Sequence, residues 1–258
     1  MKNRIKLFLL NSELFMWGFK KYIYRNRKIY WKCKKLLKYK DGIEIGGPSF
    51  IFSSEGPVPL YKIINRLDNI NYSSNTFWGK IEEGENFQFN MTRQKGKQII
   101  ADATDLSKIA GDFYDFMLSS HVIEHIANPI KAVLEWKRII KPGGHLVIIA
   151  PNMKFTYDRK RPLTKLQHII SDFQHNMEEN DNTHFSEVLQ MHDLDQDSTV
   201  ISYEEHEKRT LNNYESRIVH HHTFNMELLI ELLLYCNFKI IEYQSFKPYN
   251  LMVIAQKI

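Results

Sequence analysis

The clearest alternation of apolar and polar positions lies between residues 114 and 150, YDFMLSSHVIEHIANPIKAVLEWKRIIKPGGHLVIIA. Residues 114–118 form a short, mainly apolar run that predicts a buried strand. Ser119, Ser120 and His121 place small or polar groups at its end, where a parallel strand opens a ligand crevice. Pro129, Ile130, Val133, Leu134 and the stretch from Trp136 to Ile140 recur at helical spacing. Asn128 is the expected N-cap and Pro129 the first helical residue. Lys141-Pro142-Gly143-Gly144 stops that helix, and residues 145–150 predict the next strand.

Similar patterning extends to both sides. Residues 41–49, DGIEIGGPS, read as a strand running into a turn, where Gly46 and Gly47 let the backbone bend sharply and approach a ligand. Residues 60–64 and 97–101 predict two more strands. Between them, residues 69–96 carry Phe77, Trp78, Phe87 and Phe89 without clear periodicity and read as a packed loop or short strands. Asn225 is expected to cap a helix over residues 227–235, followed by strands at 238–243 and 251–255. Residues 151–222 form a polar insertion over the strand-end crevice, a position suited to a substrate lid.

The succession of strand, EH turn, helix, KPGG and strand resembles the class I S-adenosylmethionine (SAM) dependent methyltransferases, of the methyltransferase type 11 kind. The glycine turn resembles them in part: Glu44 matches the acid that opens the family's E-x-G-x-G-x-G pattern, while Pro48 and Phe50 replace its second and third glycines. The resemblance implies an α/β, Rossmann-like, seven-stranded mixed sheet of order 3-2-1-4-5-7-6 with helices on both faces, the last two strands forming an antiparallel pair. Pro57 and Pro59 leave little room for the usual first helix. The implied cofactor is SAM, held by Glu44, Gly46, Gly47, Ser119 and Ser120. Asp68, in preference to Asn65, would take the ribose hydroxyls, and Asp102 and Ala103 would receive the adenine amino group. Asp102 is also readable as a loop aspartate capping Thr104 or Asp105.

Methyl transfer is an in-line displacement, so such an enzyme mainly positions its reactants and removes a proton when the acceptor is a hydroxyl. His121, Glu124 and His125 stand at i, i+3 and i+4, one face of a helical turn. They resemble the E-x-x-E-H cluster that binds a divalent metal in some SAM-dependent O-methyltransferases, with His121 in place of the first glutamate. His121, His125 and His222 are the catalytic candidates, and His121, Glu124 and His125 the metal candidates, with a further ligand available from His184, His220, His221 or His222. The alternative is that Glu124 and His125 only brace the turn. In the lid, Asp158, Arg159 and Arg161 suit anion or sugar recognition. His184 with Glu187, and His192 with Asp193, are spaced for a second metal or acid/base site, or for ordinary ion pairs on helix faces. Three consecutive histidines, His220 to His222, cannot all face one way in an extended chain, so at most two would point into the site.

Charge divides the chain unevenly. Residues 1–40 carry a net charge of +12 and the remainder −7, which separates a basic arm (1–40) from the expected methyltransferase domain (41–258) with its lid at 151–222. In the arm Ile5, Phe8, Leu9, Met16, Phe19 and Ile23 recur at helical spacing. Such a helix could meet an anionic membrane surface, clamp a polyanion such as nucleic acid, or pack beside the sheet. Two distant cysteines and no C-x-x-C argue against a disulfide framework and for a reducing cytoplasm, peripheral to the inner face of the membrane if the arm binds lipid. No apolar run approaches about 18 residues. The polar lid favours a sugar or glycan precursor as methyl acceptor, as in polysaccharide biosynthesis. A nucleic-acid methyltransferase and a catalytically silent SAM-binding scaffold are the competing readings.

Overall fold

The computed structural model describes residues 28–76, 79–197, 199–200 and 202–258. Phe77, Trp78 and the arm residues from Ile5 to Ile23, with their expected membrane or polyanion contacts, lie outside the described residues. The described end of the arm is helix α1 (Lys28–Leu37), which buries Ile29, Tyr30, Cys33 and Leu37 along one face and pairs Lys28 with Glu242 at 2.9 Å. This part of the arm therefore packs as an amphipathic helix against the sheet.

The strands in chain order are β1 (Asp41–Ile45), β2 (Arg66–Asn71), β3 (Asn75–Thr76), β4 (Gly79–Lys80), β5 (Gly84–Phe87), β6 (Gly96–Ile100), β7 (Tyr114–Ser120), β8 (Ile140–Pro151), β9 (Phe238–Phe246) and β10 (Asn250–Lys257). Eight of them form one sheet in the order β5-β6-β2-β1-β7-β8-β10-β9. Strands β6, β2, β1, β7 and β8 are parallel, while β10 is antiparallel to both β8 and β9. This is the expected 3-2-1-4-5-7-6 order with one strand added, because β5 from the 69–96 insertion pairs antiparallel with the edge of β6.

Alternating residues of the central strands feed two cores. Phe116, Leu118, Val147 and Ile149 face α1 and the turns at Phe50–Phe52 and Leu60–Lys62. Met117, Leu146 and Ile148 belong to the core on the other face, with α2 (Pro129–Ile139) and, further along that same face, α7 (Met226–Tyr235). The Asn128 side chain accepts from the Lys131 N–H and the Asn225 side chain from the Leu228 N–H, so both predicted N-caps form. Between these helices the lid contributes α3 (Leu166–Gln174), α4 (Phe185–Met191), α5 (Tyr203–Leu211) and α6 (Asn213–Ser216). Among the described residues no helix is long and apolar enough to cross a membrane.

The second strand is displaced from its expected place. Residues 60–64 contain a short 3-10 turn, Leu60–Lys62, and β2 is Arg66–Asn71, a polar-looking RLDNIN segment. Its buried polar side chains are satisfied internally. Asp68 accepts from the Tyr114 hydroxyl at 2.8 Å and the Lys97 N–H at 2.8 Å, and Asn69 bridges Gly47 and Gln98. Asp68 thus stands in the middle of a strand rather than at its end, and its expected role at the cofactor ribose is corrected.

Candidate active site

A cavity of about 490 Å³ opens at the C-terminal ends of β1, β2, β6 and β7 beneath the lid. Gly46, at the end of β1, has φ +75, and a Cβ there would come 2.9 Å from Val122 Cγ2. Only glycine lets the backbone line the cavity in this conformation. Asn71 ends β2 and accepts from Asn69 and Gln98 through Oδ1, leaving its amide nitrogen available to a hydroxyl. Asp102 and Ala103 follow β6 into the cavity. Asp102 Oδ1 accepts from the backbone and hydroxyl of Thr104, the turn-capping alternative, and its Oδ2 lies 3.4 Å from Arg217. The Trp136 indole N–H donates to the Ala103 carbonyl at 3.0 Å and fixes this loop on α2.

The other half of the cavity is ringed by His121, Glu124, His125, Tyr157, His220 and Tyr249. His121 follows β7 with φ +54. Its Nε2 faces Asn250 Oδ1 at 3.0 Å and its Nδ1 faces Glu124 at 3.5 Å. Burial pulls the ring's pKa down, but the hydrogen bond and charge of Glu124, with Asn250, outweigh it and raise the value above the ordinary histidine range. Both ring nitrogens thus point at acceptors, and no lone pair is left for a substrate proton. His125 is arranged differently. A carbonyl can only accept, so its Nδ1–H donates to Val219 O at 3.2 Å, leaving the Nε2 lone pair free 3.9 Å from Glu124. Burial, then the neighbouring His220, lowers the His125 pKa to about 4.

Glu124 is 1% exposed, and beyond the long contacts to His121 Nδ1 at 3.5 Å and His125 Nε2 at 3.9 Å its carboxylate oxygens have no partner among the described residues. Burial raises its pKa, but His121, His125 and His220 together bring it below the ordinary value, so it is held as an anion among histidines. Behind it runs a buried chain. The Tyr157 hydroxyl is 2.7 Å from His220 Nε2, and His220 Nδ1 is 2.5 Å from Asp158 Oδ2. Arg161 donates to Asp158 at 2.8 Å and to the His220 carbonyl at 2.8 Å. Asp158 only accepts, so His220 donates through Nδ1 and accepts the hydrogen bond of the Tyr157 hydroxyl at Nε2. Although burial favours the neutral acid, the charge and hydrogen bonds of His220 and Arg161 hold Asp158 well below the ordinary carboxylate range.

The sequence model of a family described as methyltransferase domain matches residues 83–148, the span from β5 into β8, and the sheet order is that of the resemblance drawn above. That match spans only part of the chain, and the sheet around it has the arrangement expected from the resemblance to class I SAM-dependent methyltransferases. No curated protein matches it. Among solved structures it is similar to a SAM-dependent methyltransferase from Methanosarcina mazei (15% identity, 90% of this chain and 98% of that one, TM-score 0.49). Others are from Mesorhizobium loti (11%, 90% and 99%, 0.48) and Aquifex aeolicus (10%, 90% and 89%, 0.47). All three likenesses are distant, and none bears on the acceptor.

Of the residues singled out in the sequence, Gly46, Asp102, Ala103, His121, Glu124 and His125 line the cavity, whereas Glu44, Gly47, Asp68, Ser119, Ser120 and His222 do not. Glu44 lies beneath the glycine turn, accepting from Tyr61 at 2.5 Å and from the Ser49 N–H. Ser119 is fully buried inside β7. His222 is also fully buried and bonds Asp172 and Ile126 O, so its expected catalytic role is corrected. Of the three histidines at 220–222, one reaches the cavity. The expected metal set changes too: Glu124 and His125 converge with His220, and His121 stands outside that group. Both nitrogens of His220 are engaged by Tyr157 and Asp158, so only Glu124 and His125 remain as free ligands. That donor set does not fit a bound metal. The lid pairs also regroup. Glu187 bonds Arg161, His192 bonds Asp197, and Asp193 pairs with Arg159 and Lys160.

Tyr157, Asn71 and Arg217 were not singled out in the sequence. Tyr157 precedes the Asp158–Arg161 cluster that drew notice, and that adjacency was the available signal. Arg217 has φ +52, bridges Asp102 and Glu179, the latter at 2.7 Å, and stacks near Tyr72 and Tyr214.

Proposed function

We propose that this protein is a SAM-dependent methyltransferase that transfers a methyl group to a hydroxyl of a polar acceptor, a sugar or glycan precursor. The carrying observation is the ring of polar side chains in the lid half of the cavity, where Gln196, Asp197, Thr199 and Arg209 accompany Tyr157 and His220. Arg209 is bonded to Asp197 and Thr199, each at 2.8 Å, which fixes donors and acceptors for a polyhydroxylated ligand at low entropic cost.

The cavity suits SAM at its other end. Gly46 gives close backbone approach, Asn71 stands where ribose hydroxyls would be met, and Ala101, Asp102 and Ala103 form a slot for the adenine. SAM, when bound, supplies an electrophilic methyl carbon. His125 receives the acceptor's proton at its free Nε2, and Glu124 stabilises the resulting imidazolium. His121 holds the Glu124 carboxylate in place. Tyr157, supported by His220 and Asp158, orients the acceptor by hydrogen bonding.

The test is methyl transfer from label-carrying SAM to a panel of nucleotide-activated sugars and oligosaccharides, small phenols and quinols, and RNA. Labelling of sugars alone is expected. Labelling of phenols or RNA with none on sugars would overturn the acceptor assignment, and absence of SAM binding would overturn the enzyme reading.

A further inference from the structure

A second histidine cluster lies outside the cavity, where the lid meets the turn that carries Glu124. His168 and Asp172 come from successive turns of α3, His184 from the N-terminal boundary of α4, and His222 from the segment entering α7. One ligand atom from each lies within 4.8 Å of all the others. His168 Nε2 is 3.2 Å from His184 Nε2 and 3.4 Å from Asp172 Oδ2, and His222 Nε2 is 2.9 Å from that same oxygen. A tetrahedral zinc ion with Zn–N bonds of about 2.0–2.1 Å spaces its ligand atoms about 3.3 Å apart along each edge.

We propose that His168, Asp172, His184 and His222 form a structural zinc site that ties the lid to the catalytic turn. The hydrogen bonding supports metal-ready nitrogens. Both His222 nitrogens face acceptors, Nδ1 the Ile126 carbonyl at 3.2 Å and Nε2 the Asp172 carboxylate at 2.9 Å. Zinc would replace the proton between Nε2 and Asp172, with Nδ1–H then donating to Ile126, the arrangement that metal-bound histidines take from an outer partner. Asp181 is a weaker candidate ligand. Its Oδ2 is 4.0 Å from His184 Nε2 and 3.7 Å from His221 Nδ1, and Thr183 already donates to it through its hydroxyl. Three imidazoles and one carboxylate favour zinc over magnesium or calcium, which prefer all-oxygen shells. His168 is half-exposed and gives the ion a route in. The backbone N–H of His222 donates to the Glu124 carbonyl at 3.3 Å, so the ion would fix the strap that also presents His220. The site does not rest on the acceptor assignment.

The experiment uses the full chain, stripped with chelator and titrated with zinc alone, then with cobalt(II) as a spectroscopic probe. One ion per chain is expected, with the intense visible bands of tetrahedral cobalt. His168→Ala and His184→Ala should each weaken zinc binding more than about a hundredfold, beyond the loss that removal of an outer partner causes. His125→Ala should leave stoichiometry and affinity unchanged. Zinc should raise the melting temperature of the wild type and not that of His168→Ala. Retained S-adenosylhomocysteine binding by His168→Ala would show that this surface variant is folded. If it does not fold, Asp172→Asn takes its place with the same expected loss. Absence of zinc binding by the wild type, wild-type affinity in the two alanine variants, or loss confined to His125→Ala would overturn the proposal.

Discussion

Replacing Glu44 by glutamine should change how stability depends on pH. Glu44 is fully buried under the glycine turn, and burial raises its pKa from 4.5 to about 7 despite the hydrogen bonds from Ser49 and Tyr61. Because the folded protein binds this proton more tightly than the unfolded chain, the contribution of Glu44 to stability is fully present below about pH 4.5. It falls as pH rises through the window between the two values and is lost above about pH 7. The whole window corresponds to about 3 kcal/mol, of which about 2.5 kcal/mol falls between pH 5 and pH 8. Glutamine keeps the shape and an acceptor for the Tyr61 hydroxyl but has no ionisation to suppress. Urea unfolding of both proteins at pH 5, 6, 7 and 8 should therefore show the wild type losing about 2.5 kcal/mol relative to Glu44→Gln across this range. Parallel profiles for the two proteins would refute the argument, since they would mean that Glu44 ionises in the fold as it does in water.

Gly46→Val should abolish S-adenosylhomocysteine binding, read by calorimetry, because a side chain there meets both a φ of +75 and Val122 Cγ2 at 2.9 Å; heat equal to the wild type's would show that the cofactor does not approach this turn. For His125, turnover should rise with pH through about 4 and stay level above it, because the base must be neutral and its pKa is lowered from 6.5 to about 4. His125→Ala should cost at least about a hundredfold in kcat with cofactor affinity nearly unchanged. An acid limb near 6.5, or full activity of the variant, would count against His125 as the base.

The β7–α2–β8 unit was legible because period-2 and period-3.6 patterns, a capping asparagine and a glycine stop all agree there. Even so, β8 begins at Ile140, earlier than expected. A register shift between Tyr114 and Phe116 lets the KPGG segment join the strand, with φ +73 at Gly143. Strand β2 was not legible, because the apolar run at residues 60–64 outscored RLDNIN on hydrophobicity alone. The polar residues of β2 are buried by pairing with Tyr114, Gln98 and Gly47, partners that are distant in sequence. The same limit governed the site. Sequence spacing brought His121, Glu124 and His125 together, but whether a ring nitrogen keeps a free lone pair depends on Val219 and Asn250, roughly a hundred residues away. The adjacent histidines at 220–222 diverge because His220 turns to Asp158, His221 to Asn213 and His222 to Asp172.

The stretch from Ser216 to His222 touches every working part of the molecule in turn. The Ser216 carbonyl accepts from Tyr72 at the end of β2, Arg217 reaches Asp102, His220 backs Tyr157, and His222 anchors beside Glu124. A short, hydrogen-bonded length of chain cannot shift at one end without loading the other. With cofactor and acceptor seated as proposed, this length of chain would couple them, and thermodynamic reciprocity fixes the form of that coupling. Whatever factor the cofactor applies to acceptor affinity, the acceptor returns to the cofactor, so an acceptor that seats well against Tyr157 would change the affinity for the cofactor by that same factor.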